Sequence, residues 1–399
     1  MIDFDFNKFC YGCGNCANVC PTGAISMVTN EEGFQMPRID LEKCIQCGAC
    51  DRQCVYLNVA ENDADISEEC FALYANANKQ DEEMSSSAGV FPALARNILS
   101  EGGYVCGCVW DKGMVARHIV SNDWADVQRM LHSKYTQSDM GNCYKEVKAL
   151  LSAGKKVLFS GTPCQIAAVL KFTGNPENLF TCDLICKGVP SPGVWKKYVA
   201  YLEKKEGAKL TDVVFRSKHR YGWTGPVTKY TFENGKQKET LFFQLNHYIV
   251  GFLDGLYMRH SCYHCQYKNE AHKADLVLGD FWGINRKAFM ASGNKGISAV
   301  IVRTAKGKNL FEKITGQFRV ENVDYDEMVR QNNSMTHSTP KNENRSKFFA
   351  EYESKAIEKN ITEKTDLKSL RKMIIRITYY TGIFKLIKMI KTKRYKKNA

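Results

Sequence analysis

Two rows of cysteine carry the most specific chemistry in this 399-residue chain. CYGCGNCANVCP supplies Cys10, Cys13, Cys16 and Cys20, followed by Pro21, and CIQCGACDRQC supplies Cys44, Cys47, Cys50 and Cys54. Both rows read C-x2-C-x2-C-x3-C, the spacing that holds paired 4Fe–4S clusters. Three close thiolates wrap one cube, and the fourth reaches across to the other. The spacing therefore predicts one ligand set of Cys10, Cys13 and Cys16 with Cys54, and a second of Cys44, Cys47 and Cys50 with Cys20. Gly12, Gly14 and Gly48 let the backbone turn closely around each cube. The second row ends in Val55 where the first has Pro21. Zinc is the alternative for clustered cysteines, but its ligands usually come as C-x2-C pairs separated by a longer gap, which these rows fit poorly.

A further set is scattered. KKVLFSGTPCQIAAVLKF (155–172) reads as a strand, a Gly-Thr-Pro turn and a helix, with Cys164 at the mouth of the helix. Cys262 and Cys265 form a C-x2-C pair that needs two more soft ligands to close a tetrahedral or cubane site. Cys164, at a helix start, and Cys186, at a strand end, are the best placed, because α/β sheets present ligands at the carboxyl edge of their strands. On the residues alone the set fits a third 4Fe–4S cluster, a zinc site completed by His260 or His264, or unrelated buried cysteines. Cys70, Cys106, Cys108, Cys143 and Cys182 have no evident partners and read as core. Two polar turns are candidates for a cofactor. In SSSAGVF, Ser85, Ser86 and Ser87 offer hydroxyls, and Gly89 allows close approach where a helix N-terminus favours an anion. Plain N-capping by serine is the simpler account. In HSKYTQSDMG (132–141), Lys134 faces either a phosphate or solvent.

The elements that must position these residues alternate. CFALYANA, YVCGCVWD, MVARHIVS, KKVLFSG and LFTCDLIC read as strands. SSSAGVFPALARNILSEGG, GNCYKEVKALLSAG, CQIAAVLKF and PGVWKKYVAYLEKKEG read as helices. The pattern predicts an α/β fold: an α+β ferredoxin-like dicluster module at 1–58, then a layered α/β domain whose sheet is covered by helices. NVAENDADISEE (58–69) reads as a polar linker, and VTKYTFENGKQKETLFFQ as a hairpin turning at Asn234-Gly235.

Seventeen cysteines in a chain whose N-terminus, MIDFDFNKFC, does not read as a secretory signal point to metal binding in the cytoplasm rather than disulfides. No run of about 18 uncharged apolar residues predicts a membrane-spanning helix. The formal net charge of +13 is concentrated in residues 366–399, which hold eleven Lys/Arg and one acid. The basicity belongs to a tail, and no nucleic-acid groove is expected.

SSSAGVF, SKYTQSDMG, FSGTPCQIAAV, DLICKGVPSP and CYHCQYKNEAHKADLVLGDFWGI occur in that order. Over about residues 70–330 the chain resembles the coenzyme F420 hydrogenase/dehydrogenase beta-subunit family. That family includes deazaflavin-oxidising subunits of archaeal hydrogenases and dehydrogenases, and a plant hydroxymethyl-chlorophyll reductase. The resemblance makes 70–150 and 151–335 the two parts of one flavin and cluster domain. It implies FAD there, and beside it a third 4Fe–4S cluster ligated by Cys164, Cys186, Cys262 and Cys265. It would lay Ser85, Ser86, Ser87 and Gly89 along the flavin phosphates. Lys134, Tyr135 and Gln137 would line the flavin or substrate pocket, with Thr162 and Gln165 facing the flavin. No catalytic residue is singled out. The implied activity is an oxidoreductase moving electrons between a hydride-type carrier, such as reduced coenzyme F420, and one-electron acceptors. The competing expectations are a ferredoxin-dependent reductase of an organic substrate, for instance in surface-polysaccharide metabolism, and a non-catalytic electron-transfer subunit. The partner is then a redox protein or a small carrier, coenzyme F420 or ferredoxin.

The tail, SLRKMIIRITYYTGIFKLIKMIKTKRYKK (369–397), reads as two amphipathic helical pieces. Ile374 and Ile377 share one face; past Gly382, Ile383, Ile387 and Ile390 share another, with Lys385 and Lys388 opposite. Such a segment either lies on anionic lipid, at the inner face of the membrane, or docks on its own protein.

Overall fold

The computed structural model describes residues 2–59, 69–268 and 272–387. In the N-terminal module β1 (Ile25–Thr29) and β2 (Gln35–Ile39) pair antiparallel, flanked by the short helices Asn15–Val19 and Ala49–Gln53. β3 (Glu69–Tyr74), β4 (Tyr104–Asp111), β5 (Val115–Ser121), β6 (Val157–Gly161) and β7 (Leu179–Leu184) follow. β8 (Leu210–Ser217), β9 (Val227–Phe232) and β10 (Gln237–Leu241) form a separate antiparallel sheet. β11 (Leu276–Asp280), β12 (Ser298–Val302) and β13 (Arg319–Asn322) return to the first one.

The large sheet has the order β13-β3-β12-β11-β7-β6-β4-β5. Its centre, β11-β7-β6-β4, is parallel, and antiparallel strands extend both edges. The pleat sends alternate residues to opposite layers. Val157 and Phe159 pack under the helices Cys143–Ser152 and Pro163–Thr173, while Leu158 packs under Val90–Ser100 and Ala305–Thr315. Both faces are covered, so the α/β class expected from the alternating pattern holds. The stretches read as 70–150 and 151–335 both contribute strands to this one sheet.

The smaller sheet packs on the helices Pro192–Glu206 and His247–Leu253 through Trp195, Tyr198, Phe215, Tyr230 and Tyr248. The β9–β10 turn falls at Asn234-Gly235, where Gly235 adopts φ +78°, a conformation other residues rarely accept. The chain beyond 335 adds Phe348, Tyr352, Ile361 and Leu367 to the same core. Of the expected linker 58–69, Asn58 bonds back to the Asp51 and Cys54 carbonyls and Glu69 opens β3; residues 60–68 lie outside the described residues. In the tail, helix Leu370–Tyr380 ends before Gly382 at φ +79°, and 383–387 is helical again; Lys388 and Ile390 lie outside the described residues. Ile375, Tyr379 and Phe384 pack on Tyr221, Val227 and Leu241, so one face of the tail docks on the smaller sheet. Among the described residues no helix is long and apolar enough to cross a membrane.

The module is seated on the rest by many polar contacts. Gly33 and Gly193 meet backbone to backbone, the Gly193 N–H donating to the Gly33 carbonyl at 3.1 Å. Arg345 forks onto the Glu32 carboxylate at 2.6 and 2.5 Å. Tyr144 donates to the Cys13 carbonyl at 3.0 Å and Tyr267 to the Val55 carbonyl at 2.7 Å. A Cβ on Gly33, which has φ +81°, would stand 2.5 Å from the Gly193 Cα. Gly33→Ala is therefore expected to cost about 2 kcal/mol or more at this seam. Limited proteolysis checks it: residues 1–59 should be released faster from the variant than from the wild type.

Candidate functional site

The two cysteine rows adopt the same local structure. Gly14 and Gly48, at φ +75° and +69°, start the two short helices in the left-handed conformation. Cys16 and Cys50 lie on those helices, and Cys20 and Cys54 leave them in extended conformation, which carries each last cysteine away from its own row. Cys10, Cys13, Cys16 and Cys54 line one cavity, walled by Phe4, Met27, Pro37 and Tyr56. Cys20, Cys44, Cys47 and Cys50 line a second, walled by Ile25, Ile39 and Ile45. The structure thus brings together the two crossed sets of four. Burial pushes the Cys16 thiol up to about 12 and raises Cys13 further. Four soft donors around an apolar cradle suit a thiolate-bound cluster, whose assembly must displace those protons.

Cys164, Cys186, Cys262 and Cys265 also converge. Cys164 follows β6 at the second residue of its helix, with its sulfur 3.3 Å from Thr162 Oγ1. Cys186 follows β7, and Lys268 Nζ donates to its carbonyl at 2.5 Å. Cys262 and Cys265 lie on and just after the turn His260–His264, where their sulfurs accept from the Val189 and Tyr267 N–H groups at 3.5 and 3.4 Å. Gly188, at φ +134°, lets the backbone pass Cys262; a Cβ there would lie 3.1 Å from the Cys262 Cβ. Burial raises all four thiols, and each is within electrostatic reach of others in the set. Cys13 packs in the same apolar cluster as Cys164 and Cys265, so this set adjoins the first N-terminal cavity. The strongest charges on His260 are Arg345, Lys341 and Glu32, not the four thiols. Cys106 and Cys143, read as lone core residues, contact each other.

Arg259 stands between the two sets. It is 0% exposed. Its guanidinium donates to Gln137 Oε1 at 2.7 Å and to the Gln35 and Cys10 carbonyls at 2.7 and 3.0 Å. Burial pulls it below its usual range, and Cys10, Cys262, Cys164 and Cys13 pull it back. Gln137 also donates to the Tyr11 carbonyl at 2.9 Å, so it closes the seam with the module. Thr162 and Gln165 turn toward each other: Gln165 Oε1 accepts from the Thr162 N–H at 2.9 Å, and Gln165 Nε2 donates to Ser138 at 2.9 Å.

The serine turn behaves differently. Ser85, Ser86 and Ser87 have buried hydroxyls with no hydrogen-bond partner, immediately before helix Val90–Ser100, and Gly89 sits at φ +91°. Such a row is expensive to leave unsatisfied, and none of the three hydroxyls caps the helix. Lys218 Nζ binds the Ser87 carbonyl at 2.7 Å, and burial pushes it down to about 8. His132 is half-buried, and Lys134, Lys218 and Arg216 all act on it. Lys134 is half-buried and not free: its ammonium is held by the Arg129 and Leu131 carbonyls at 2.7 and 2.6 Å, and burial pushes it down to about 8. Tyr135 packs on Phe215, Phe242 and Phe252. Beside it Arg216 grips Asp280 at the end of β11, and Trp223 stacks on Trp282 at 4.5 Å. Sequence reasoning missed Arg259, Arg216, Lys218 and His132, whose roles arise only from burial. Asp280 and Trp282 lie within a motif it quoted.

Comparison with known proteins gives the class first. Residues 9–57 match the 4Fe–4S dicluster domain, so the chain carries iron–sulfur clusters. Residues 154–327 match the family described as the C terminus of the coenzyme F420 hydrogenase/dehydrogenase beta subunit. An uncharacterized polyferredoxin-like protein of Methanocaldococcus jannaschii is 38% identical over 60 residues, 13% of this chain and 36% of that protein. The trichloroethene reductive dehalogenase of Dehalococcoides mccartyi is 34% identical over 73 residues, 15% of this chain and 13% of that protein. The matches thus span 36% and 13% of these curated relatives. A chain of the F420-reducing NiFe hydrogenase complex from Methanosarcina barkeri is similar over 69% of this chain and 93% of that chain, at 18% identity and a TM-score of 0.45.

The serine turn makes a binding prediction. Ser86→Ala removes a hydroxyl that bonds nothing, so the melting temperature of ligand-free protein should hold, whereas loss of a true cap would cost about 1 kcal/mol. Calorimetry with inorganic pyrophosphate should show weaker binding to the variant. Wild-type binding should fall as pH rises through about 8, because Lys218 is charged below that value and neutral above it.

Proposed function

We propose that the chain exchanges electrons between a two-electron carrier, coenzyme F420 or a relative, and a one-electron partner, through FAD and three 4Fe–4S clusters. The observation that carries this reading is the convergence of Cys164, Cys186, Cys262 and Cys265 beside the cavity of Cys10, Cys13, Cys16 and Cys54. The N-terminal sets would hold two clusters and the third set another, beside the carboxyl edge of β6 and β7. A bound flavin supplies the exchange between hydride and single-electron chemistry.

The residues at the serine turn fit the phosphate end of such a cofactor. Ser85, Ser86 and Ser87 would hold phosphate oxygens by donating to them, and the following helix N-terminus would favour that charge. Lys218 and Arg216 add positive charge. Arg216 is itself fixed by Asp280, which also accepts from Trp223 Nε1 at 2.6 Å, so this wall is rigid. Burial keeps His132 neutral at physiological pH, with its value pulled down to about 3, so it offers a hydrogen bond rather than a charge. The N-terminal module, with Cys47 exposed, is the natural docking side for the one-electron partner.

The test is iron, labile sulfide and flavin on protein purified without oxygen. Wild type should contain about twelve irons and one flavin per chain. Cys186→Ala should contain about eight irons and keep the N-terminal clusters. A wild type with about eight irons contradicts the third cluster. Bleaching of the bound flavin by reduced coenzyme F420 supports that carrier; reduction by ferredoxin alone favours a ferredoxin-dependent reductase.

Both apolar faces read from the tail point outward: Ile374, Ile377, Ile383 and Ile387 are exposed while Ile375, Tyr379 and Phe384 are docked. With the surrounding Lys and Arg these faces suit an anionic bilayer, each cation near the surface adding about 1 kcal/mol. Flotation with phosphatidylserine vesicles should carry the wild type but not Ile374→Ser/Ile377→Ser. Equal flotation of both sinks this membrane contact.

A further inference from the structure

Arg259 has no acid among its hydrogen-bond partners. Gln137, the Gln35 and Cys10 carbonyls and the Met36 sulfur surround its guanidinium, which also lies 4.8 Å from the Phe34 ring. A guanidinium at this depth is costly unless an anion meets it. Polar carbonyls satisfy its protons but not its charge. The acidic groups that act most strongly on it are cysteine thiols, which become anionic on binding a cluster, and they come from both inner sets: Cys10 and Cys13 from the module, Cys164 and Cys262 from the α/β domain. Gly12, at φ +63°, makes the space for this. A Cβ there would collide with the guanidinium, so the ligand loop itself is shaped around the arginine.

We propose that Arg259 is the shared counter-ion of two clusters, the one held by Cys10, Cys13, Cys16 and Cys54 and the one held by Cys164, Cys186, Cys262 and Cys265, and that it raises the reduction potential of both. The proposal rests on the cluster assignment above. One-electron reduction makes each cluster more negative by one charge, with no bond made or broken. A fixed cation in a poorly screened interior therefore favours the reduced form. The effect falls with distance. The outer cluster, held by Cys20, Cys44, Cys47 and Cys50, is not among the partners of Arg259 and has an exposed ligand, Cys47. Arg259 thus sets an order: electrons rest on the inner pair, and the outer cluster is the step to the partner protein.

The experiment compares wild type, Arg259→Gln and Arg259→Lys, each purified without oxygen. Iron and sulfide are counted, and the clusters are titrated against potential by electron paramagnetic resonance. In Arg259→Gln two of the three clusters should become harder to reduce. Their reduced-to-oxidised ratio at the wild-type midpoint should fall about tenfold, equal to 59 mV for a one-electron couple. The third cluster should not move, and Arg259→Lys, which keeps the charge, should move the inner pair less. Full iron with unmoved potentials in Arg259→Gln overturns the proposal, as does an equal shift of all three clusters. If Arg259→Gln fails to take up iron, full loading of Arg259→Lys supports a need for charge, and failure of both variants overturns it. A wild type with about eight irons instead contradicts the underlying cluster assignment.

Discussion

The seam between the N-terminal module and the α/β domain is the constraint on which the rest depends. It lies where two groups of four cysteines meet, and it is closed by buried polar groups rather than by apolar surface alone. Asn15 Nδ2 donates to Gln53 in the module at 2.9 Å and approaches the Ala168 carbonyl across the seam at 3.4 Å. Asn18 Nδ2 reaches the Gly141 carbonyl at 2.9 Å. Arg259, Gln137, Tyr144 and Tyr267 complete the closure. Tyr144, Tyr267 and Gln137 bond backbone carbonyls across the seam, so the module has one orientation, with Cys13 in the same apolar cluster as Cys164.

The large sheet supplies the other half of the geometry. Parallel strands all end on the same edge, and β6 and β7 deliver Cys164 and Cys186 there without special local sequence. The C-x2-C pair comes from a turn that Gly188 allows to approach. The antiparallel strands β12, β3 and β13 extend the sheet past β11. The serine turn meets the start of β12, opposite the end of β11, where the Ala88 N–H donates to Ser298 Oγ at 3.1 Å. One sheet therefore positions both a group of four thiols and a turn of three buried hydroxyls beside Lys218.

What could be read in the sequence was what is local. The cysteine rows have a spacing fixed by the cube they wrap, so their crossed grouping was legible without tertiary knowledge. Strand YVCGCVWD and helix PCQIAAVLKFT follow from pattern and from a Thr-Pro helix start. The gathering of Cys164 and Cys186 with Cys262 was legible only as a choice among alternatives, because it depends on strand order. Arg259 and Lys218 were not legible at all: an arginine or lysine in a polar stretch normally reads as solvated surface, and only burial makes these two unusual. The tail shows the same limit. Its period picked out Ile374, Ile377, Ile383 and Ile387, which are exposed, while the face that docks, Ile375, Tyr379 and Phe384, is fixed by Tyr221 and Leu241, more than a hundred residues away in sequence.

The central claim is a continuous path of one two-electron and three one-electron centres within a single chain. Anaerobic reductive titration, with electrons counted to the end point, tests it most directly. The account predicts uptake of about five electrons per chain, two by the flavin and one by each of three clusters. Uptake of about two, with no flavin bleaching, would contradict it and leave only the N-terminal pair of clusters.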